Sequence, residues 1–292
     1  MNPGKVVVLT GGTSGIGLAT VRSLLSRSVQ VMAIGRDPGR SAATQQTLRE
    51  EYPGTSVDYV VADLSTTGEV RRAADEIRRV LHENAITGLD ALINNAAAVS
   101  TWRSVTEEGY ERQFAVNHLA GFLLTNELLP LLEHGHSGRM VTVSSGSHRG
   151  ARIHWADPMF SHGYSMLRAY KQSKLANVLF CAEFNRRQGV ESRLRAYAFD
   201  PGLVRTDIGL KSSSGIEHLV WKIRRRSRAA APPELPARHL AALAVNDQID
   251  RPGEFYRHLG AAGSAAAAGL DAVSGARLWA LSERLCAARV AS

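Results

Sequence analysis

The chain alternates short apolar runs with longer segments whose apolar residues recur at helical spacing. Residues 5–10 (Lys5-Val6-Val7-Val8-Leu9-Thr10) are nearly all apolar, β-branched and followed by Gly11-Gly12, the pattern of a strand buried on both faces. Residues 15–27 then carry Ile16, Ala19, Leu24 and Leu25 as a helical stripe. Continued in this way, the pattern predicts further strands over 29–34, 57–61, 89–93, 140–143, 194–199 and 254–256. Helices are predicted over 39–51, 67–83 and 165–188, with one or two more within 107–134. Strands alternating with helices imply βαβ units and right-handed crossovers. The expected fold class is α/β: a doubly wound parallel sheet of about seven strands with helices on both faces.

The end of the chain departs from this rhythm. Residues 260–269 are rich in Gly and Ala and read as a loose surface connection, after which a short helix around 277–285 would pack Leu278, Leu281 and Leu285 back on the body. No repeat or linker divides what precedes it. Residues 1–258 are therefore expected to form one domain and residues 259–292 a C-terminal extension.

Composition narrows the class. At 292 residues, 44% hydrophobic and 21% charged, the chain can bury a substantial core and is neither disordered nor collagen-like. Its two cysteines, Cys181 and Cys286, fit neither a disulfide scaffold nor a metal site. No run of 18 apolar residues is present, and strand-like sequence from Lys5 leaves no room for a signal peptide, so a soluble cytoplasmic protein is expected. The formal charge of +8 comes from 30 arginines and five lysines against 27 acids, spread along the chain except for a run at 224–228. We read it as a solvated face, not a nucleic-acid surface, with a polyanionic cofactor as a second sink for positive charge. Residues 216–228 also have the pattern of a basic amphipathic helix that would make peripheral contact with an anionic membrane.

Candidate chemistry begins at the first turn. Gly11, Gly12, Thr13, Ser14, Gly15, Ile16 and Gly17 lie between a predicted strand and a predicted helix, the setting of a phosphate-binding turn. Glycines let the main chain approach a pyrophosphate, and the helix that follows offers unpaired N–H groups. A P-loop is excluded, because no Gly-Lys-Ser/Thr follows. The end of the second strand selects the dinucleotide: an acid there binds a ribose diol, an arginine a 2′-phosphate. The usual acidic slot falls on Gly35, with Arg36 next and Arg40 one turn on, so NADP(H) is expected in preference to NAD(H). Asp37 reads as a helix cap.

Tyr170 and Lys174 are the one tyrosine and lysine spaced i,i+4, and they lie on the long helix after the fifth strand. A free phenol has a pKa near 10, too high for a base at neutral pH. An ammonium on the same helix face favours the phenolate, so that Tyr170 can pass the proton that accompanies hydride transfer.

These residues together resemble the short-chain dehydrogenases/reductases. The resemblance is carried by Thr10-Gly11-xxx-Gly15-Ile16-Gly17, Asp63-Leu64, Asn94-Asn95-Ala96-Ala97, Asn117, Ser144-Ser145, Tyr170-xxx-Lys174 and Pro201-Gly202, in that order over residues 4–258. The run from Val116 to Thr125, the spacing of Ser145 and Tyr170, and Ser173-Lys174-Leu175-Ala176-Asn177 are similar to the retinol dehydrogenase and WW-domain oxidoreductase branch. The resemblance implies a single-domain Rossmann fold and a catalytic set of Asn117, Ser145, Tyr170 and Lys174. Ser145 would hold the substrate carbonyl, Lys174 the nicotinamide ribose, and Asn117 would fix Lys174 through a water. Asp63, Leu64, Asn94 and Ala96 would line the adenosine side, and Pro201, Gly202, Val204 and Thr206 the nicotinamide side. It also implies a substrate-covering segment at 207–233 and assembly as a homodimer or homotetramer through 114–134 and 165–188.

Two departures stand out. Ala97 replaces the usual glycine, and Asp200 stands before Pro201-Gly202 where asparagine or histidine is commoner. Between Ser145 and Tyr170 lie Ile153, Trp155, Met159, Phe160 and Tyr164, and between 207 and 223 several more apolar residues. They fit either a pocket for a lipophilic carbonyl or alcohol, or ordinary core contacts. No metal is expected. An oxidoreductase is the first reading; the alternative is a catalytically silent dinucleotide-binding sensor, which has no chemical need for the full set of four.

Overall fold

The computed structural model describes residues 4–204, 230–246, 255–257, 262–263 and 265–287. Among the described residues, seven parallel strands and one short antiparallel strand form a single sheet in the order β3-β2-β1-β4-β5-β6-β7-β8. The strands are β1 (Val6–Thr10), β2 (Gln30–Gly35), β3 (Val57–Val61), β4 (Ala91–Asn94), β5 (Arg139–Val143), β6 (Arg195–Asp200), β7 (Phe255–Arg257) and β8 (Ala262–Gly263). Strand order reverses between β1 and β4, and at such a switch point the carboxyl ends of the strands open a crevice.

Every residue of β1 is buried, as its unbroken apolar run requires. Val6 and Val8 face one hydrophobic layer, Val7 and Leu9 the other. One layer is covered by α1 (Gly15–Leu25) and α2 (Pro38–Glu51), the other by α3 (Thr67–Glu83), α5 (Ala120–His134) and α6 (Met166–Gln188). The region 107–134 is a short α4 (Arg112–Phe114), a π-helical turn (Ala115–Leu119) and then α5.

Two parts of the chain differ from expectation. A helix, α7 (Glu234–Val245), packs Leu240, Ala241 and Ala244 into the α1 layer. Pro233 and Pro236 at its start hide its periodicity, although proline is tolerated in a first turn. Second, residues 260–269 are not merely a connection. Ala262–Gly263 extends the sheet, and Ala267–Leu270 forms a one-turn helix, α8, with Gly269 against Val178 of α6. The last helix, α9 (Ala272–Ala287), is longer than the pattern indicates. It lies on α5 and α6, the helices expected to carry a subunit contact: the Trp279 ring is 5.0 Å from Phe122 and 5.8 Å from Phe180. Leu278, Trp279 and Cys286 enter the same core as α3, α5 and α6, whereas Leu281 and Leu285 are only partly buried.

Candidate active site

The turn after β1 is built for a close approach. Gly11 and Gly15 have φ of +74° and +54°, the left-handed region open to glycine. A Cβ on Gly17 would stand 2.0 Å from the Gly11 carbonyl oxygen. Thr10 and Asn95 fasten this turn to the end of β4. Thr10 Oγ1 accepts the N–H groups of Asn95 and Ala96, both at 2.9 Å, and Asn95 Nδ2 donates to Thr10 O at 2.8 Å. Tyr59 donates to the Gly12 carbonyl at 2.8 Å, and burial raises its phenol pKa, keeping it a donor. The start of α1 differs from those of α2 and α3: Asp37 and Thr66 cap their helices, whereas Ser14 places no side-chain cap on α1. Unclaimed N–H groups above a glycine turn, at the positive end of a helix dipole, fit a pyrophosphate.

The end of β2 fits a 2′-phosphate. A side chain at Gly35 would meet Ser41 Oγ at 2.3 Å and Thr13 Cγ2 at 2.8 Å, so packing bars a carboxylate from that slot. Asp37 is occupied as a cap, accepting the Arg40 N–H at 2.7 Å. Arg36 and Arg40 are exposed, and among the described residues no carboxylate pairs with either.

The other predicted residues divide between edge and interior. Asp63 pairs with Arg112 at 3.6 Å and is partly exposed, while Leu64 is buried in the core. Asn94 turns its amide into α5, 3.1 Å from Thr125 Oγ1, so the neighbouring Asn95 and the Ala96 backbone face the glycine turn instead. Pro201 is buried, Gly202 has φ +70°, and Val204 bridges to Ala231. Thr206, residues 207–229 of the substrate-covering segment and the basic run lie outside the described residues.

Beside the switch point, β5 is followed by two serines with different duties. Ser144 Oγ donates to Lys174 O at 2.8 Å, tying the strand to α6. Ser145 is half-buried and extended, and its Oγ accepts the Ser147 N–H at 3.2 Å, which leaves its own proton to donate. Lys174 is buried; its Nζ donates to Val143 O at 3.0 Å and lies 5.7 Å from the centre of the Tyr170 ring. Burial pulls the ammonium down to about 8, and the nearby Asp200 carboxylate pushes it up. Asn117 sits in the π-helical turn, a form of helix frequent at functional sites. Its Oδ1 accepts the Ala98 N–H at 2.6 Å, and its Nδ2 donates to Ala98 O at 3.1 Å and to Ser173 Oγ at 3.0 Å. It thereby joins the loop after β4 to the residue beside Lys174.

The apolar residues between Ser145 and Tyr170 serve mainly as core contacts. Ile153 and Phe160 are buried, Trp155 and Met159 lean on the core, and Tyr164 donates to Ser100 O at 2.8 Å. Three apolar side chains that the pattern did not single out are exposed in segments flanking the site residues. Trp102 follows β4, Leu203 follows β6, and Leu167 lies one turn before Tyr170 on the same helix. Among the described residues there is no metal-ligand cluster, and no helix is long and apolar enough to cross a membrane.

Comparison with known proteins shows the family of the chain. The short chain dehydrogenase family profile matches residues 5–216. Human retinol dehydrogenase 13 is 34% identical over 97% of this chain and 85% of its own length. Human polyprenol dehydrogenase is 34% identical over 76% of this chain, and the match spans 65% of that protein, a little under two thirds. A crystal structure of an uncharacterized protein from Mycobacterium paratuberculosis superposes with a TM-score of 0.74 at 32% identity, covering 97% of this chain and 93% of the other. The chain belongs to the short-chain dehydrogenase family of oxidoreductases, on its retinol dehydrogenase-like branch.

Proposed function

We propose that the protein is an NADP(H)-dependent oxidoreductase that interconverts a lipophilic ketone or aldehyde and its alcohol, with Tyr170 as general acid/base. The observation that carries this reading is a buried ammonium, Lys174 Nζ, held 5.7 Å from the Tyr170 ring at the carboxyl edge of the sheet. When bound, NADP(H) supplies or takes the hydride. The residues of this chain do the rest. The Ser145 hydroxyl donates to the substrate oxygen and orients it. In reduction the Tyr170 hydroxyl gives its proton to that oxygen, and the Lys174 charge lowers the cost of the phenolate left behind. In oxidation the same proton returns to Tyr170. Arg36 and Arg40 support NADP(H) over NAD(H), since among the described residues no carboxylate pairs with either and the slot beside them is closed to carboxylates. Trp102, Leu167 and Leu203 support an apolar substrate, as do relatives named for retinol and polyprenol.

The test mixes the purified chain with NADPH or NADH and a panel of apolar aldehydes and ketones, retinal included, and follows loss of the reduced nicotinamide absorbance. NADPH is expected to be consumed. Tyr170→Phe is expected to bind NADPH normally and to turn over at least about a thousandfold more slowly, since it lacks the proton. Arg36→Ala should weaken NADPH by about tenfold and NADH hardly at all, because only the former has a phosphate to lose. A Tyr170→Phe protein that kept most of its activity would sink the assignment of the proton donor.

A further inference from the structure

His148 ends the 3-10 turn that starts directly after Ser145, and it is wholly buried. Its Nδ1 lies 2.7 Å from the Ser145 carbonyl oxygen, and its Nε2 lies 3.1 Å from the backbone nitrogen of Ala266. An amide nitrogen only donates, so Nε2 presents its lone pair and the ring proton sits on Nδ1, donating to Ser145. One imidazole thus bridges the site to a segment 118 residues further along the chain.

That segment is itself firmly held. Ala266 caps α8, and Gly269 sits so close to α6 that a Cβ there would be 2.7 Å from Val178 Cγ1. α9 in turn holds the π-helical turn that carries Asn117. His118, next to Asn117, has Nε2 2.8 Å from Ser282 Oγ, and Ser282 gives its own proton to Leu278 O at 2.9 Å. Tyr110 and Arg71 donate to the Leu285 and Cys286 carbonyls, which closes the end of α9 against the body. The segment therefore holds a fixed position from which Ala266 can set the ring of His148.

We propose that His148 is a positioning residue, through which the C-terminal segment fixes the Ser145 backbone and so the aim of the Ser145 hydroxyl. This rests on the roles given above to Ser145 and Tyr170. A small misplacement of a group that orients the reacting atoms is costly in rate even when binding is intact.

Two substitutions cut the bridge from opposite ends. His148→Ala removes the ring. Ala266→Pro removes only the N–H, at a residue whose φ of −62° already suits proline, and leaves the buried imidazole in place should the cavity of His148→Ala prevent folding. With saturating NADPH, each is expected to lower kcat for a carbonyl substrate by about tenfold, with KM and NADPH affinity within about twofold of the parent. The double variant should be no slower than the slower single variant, because both remove one interaction. His148→Asn, which returns an N–H near the Nδ1 position, should recover most of the kcat lost in His148→Ala. A kcat for Ala266→Pro within about twofold of the parent, or losses that multiply in the double variant, would overturn the proposal. Tyr170→Phe assayed alongside separates the two readings: if it remains active, the catalytic assignment has failed, and not the bridge.

Discussion

Lys174 combines two demands that oppose each other. An ammonium is wanted beside Tyr170, yet the position is buried, and burial favours the neutral amine, with a pKa brought down from 10.5 to about 8. Near neutral pH the side chain therefore stays charged at a cost in stability. The unfolded chain binds more protons at this site than the folded one between about 8 and 10.5, so the site's contribution to stability rises with pH across that window. Lys174→Met should accordingly melt higher than the parent near pH 7, by an amount on the order of 1 kcal/mol or more, while losing turnover. The Val143 carbonyl keeps a donor in this variant, Asn177 Nδ2 at 3.1 Å. The gain should shrink as pH climbs from 8 toward 10, which thermal melts of the two proteins side by side would show. Taken as a difference, the comparison cancels Cys181 and Cys286, whose buried thiols are pushed up to about 12 and work in the opposite direction. A melting temperature for Lys174→Met below that of the parent would contradict the burial argument.

At the scale of elements, the β1 turn and α1 form a unit whose geometry tolerates little change. Gly17→Ala would drive a methyl group against the Gly11 carbonyl and the Asn95 amide, and should cost several kcal/mol and abolish NADPH binding. Gly68→Ala is the control. It lies in the exposed first turn of α3 with nothing within 4 Å of an added Cβ, and should leave stability unchanged or slightly higher. Equal melting temperatures for the two would refute the packing account. This unit was readable because its signals are local: an unbroken apolar run, then glycines, then a helical stripe. Asp37 was likewise readable as a cap from its place before Pro38. Asn95 was not, because nothing in the sequence tells which of two adjacent asparagines turns toward the first strand and which turns into α5. The same limit applies to α7, and to the short strand and helix within 260–269. Each is short or opens on prolines or alanines, and is defined by what it packs against more than by its own period. The apolar residues at 153–164 have two equally legible uses, and tertiary packing makes core contacts of most of them.

For the molecule as a whole, the layer formed by α5 and α6 carries a lid of its own chain. Trp279 meets Phe122 edge-on and Phe180 at a tilt, Arg187 sits 4.3 Å from the centre of the Trp279 ring, and Trp279 Nε1 donates to Glu283 at 2.7 Å. Trp279→Ala should cost roughly 3–5 kcal/mol and turn an aromatic seam toward water. Light scattering should then show a larger assembly than the parent forms; a variant that stays the size of the parent would argue that α9 covers nothing adhesive. Where α9 covers Phe122 and Phe180, the polypeptide closes this seam with its own residues. Its specific activity should then hold steady on serial dilution, with no lag on return to high concentration, as expected of a catalyst whose smallest working unit is one chain.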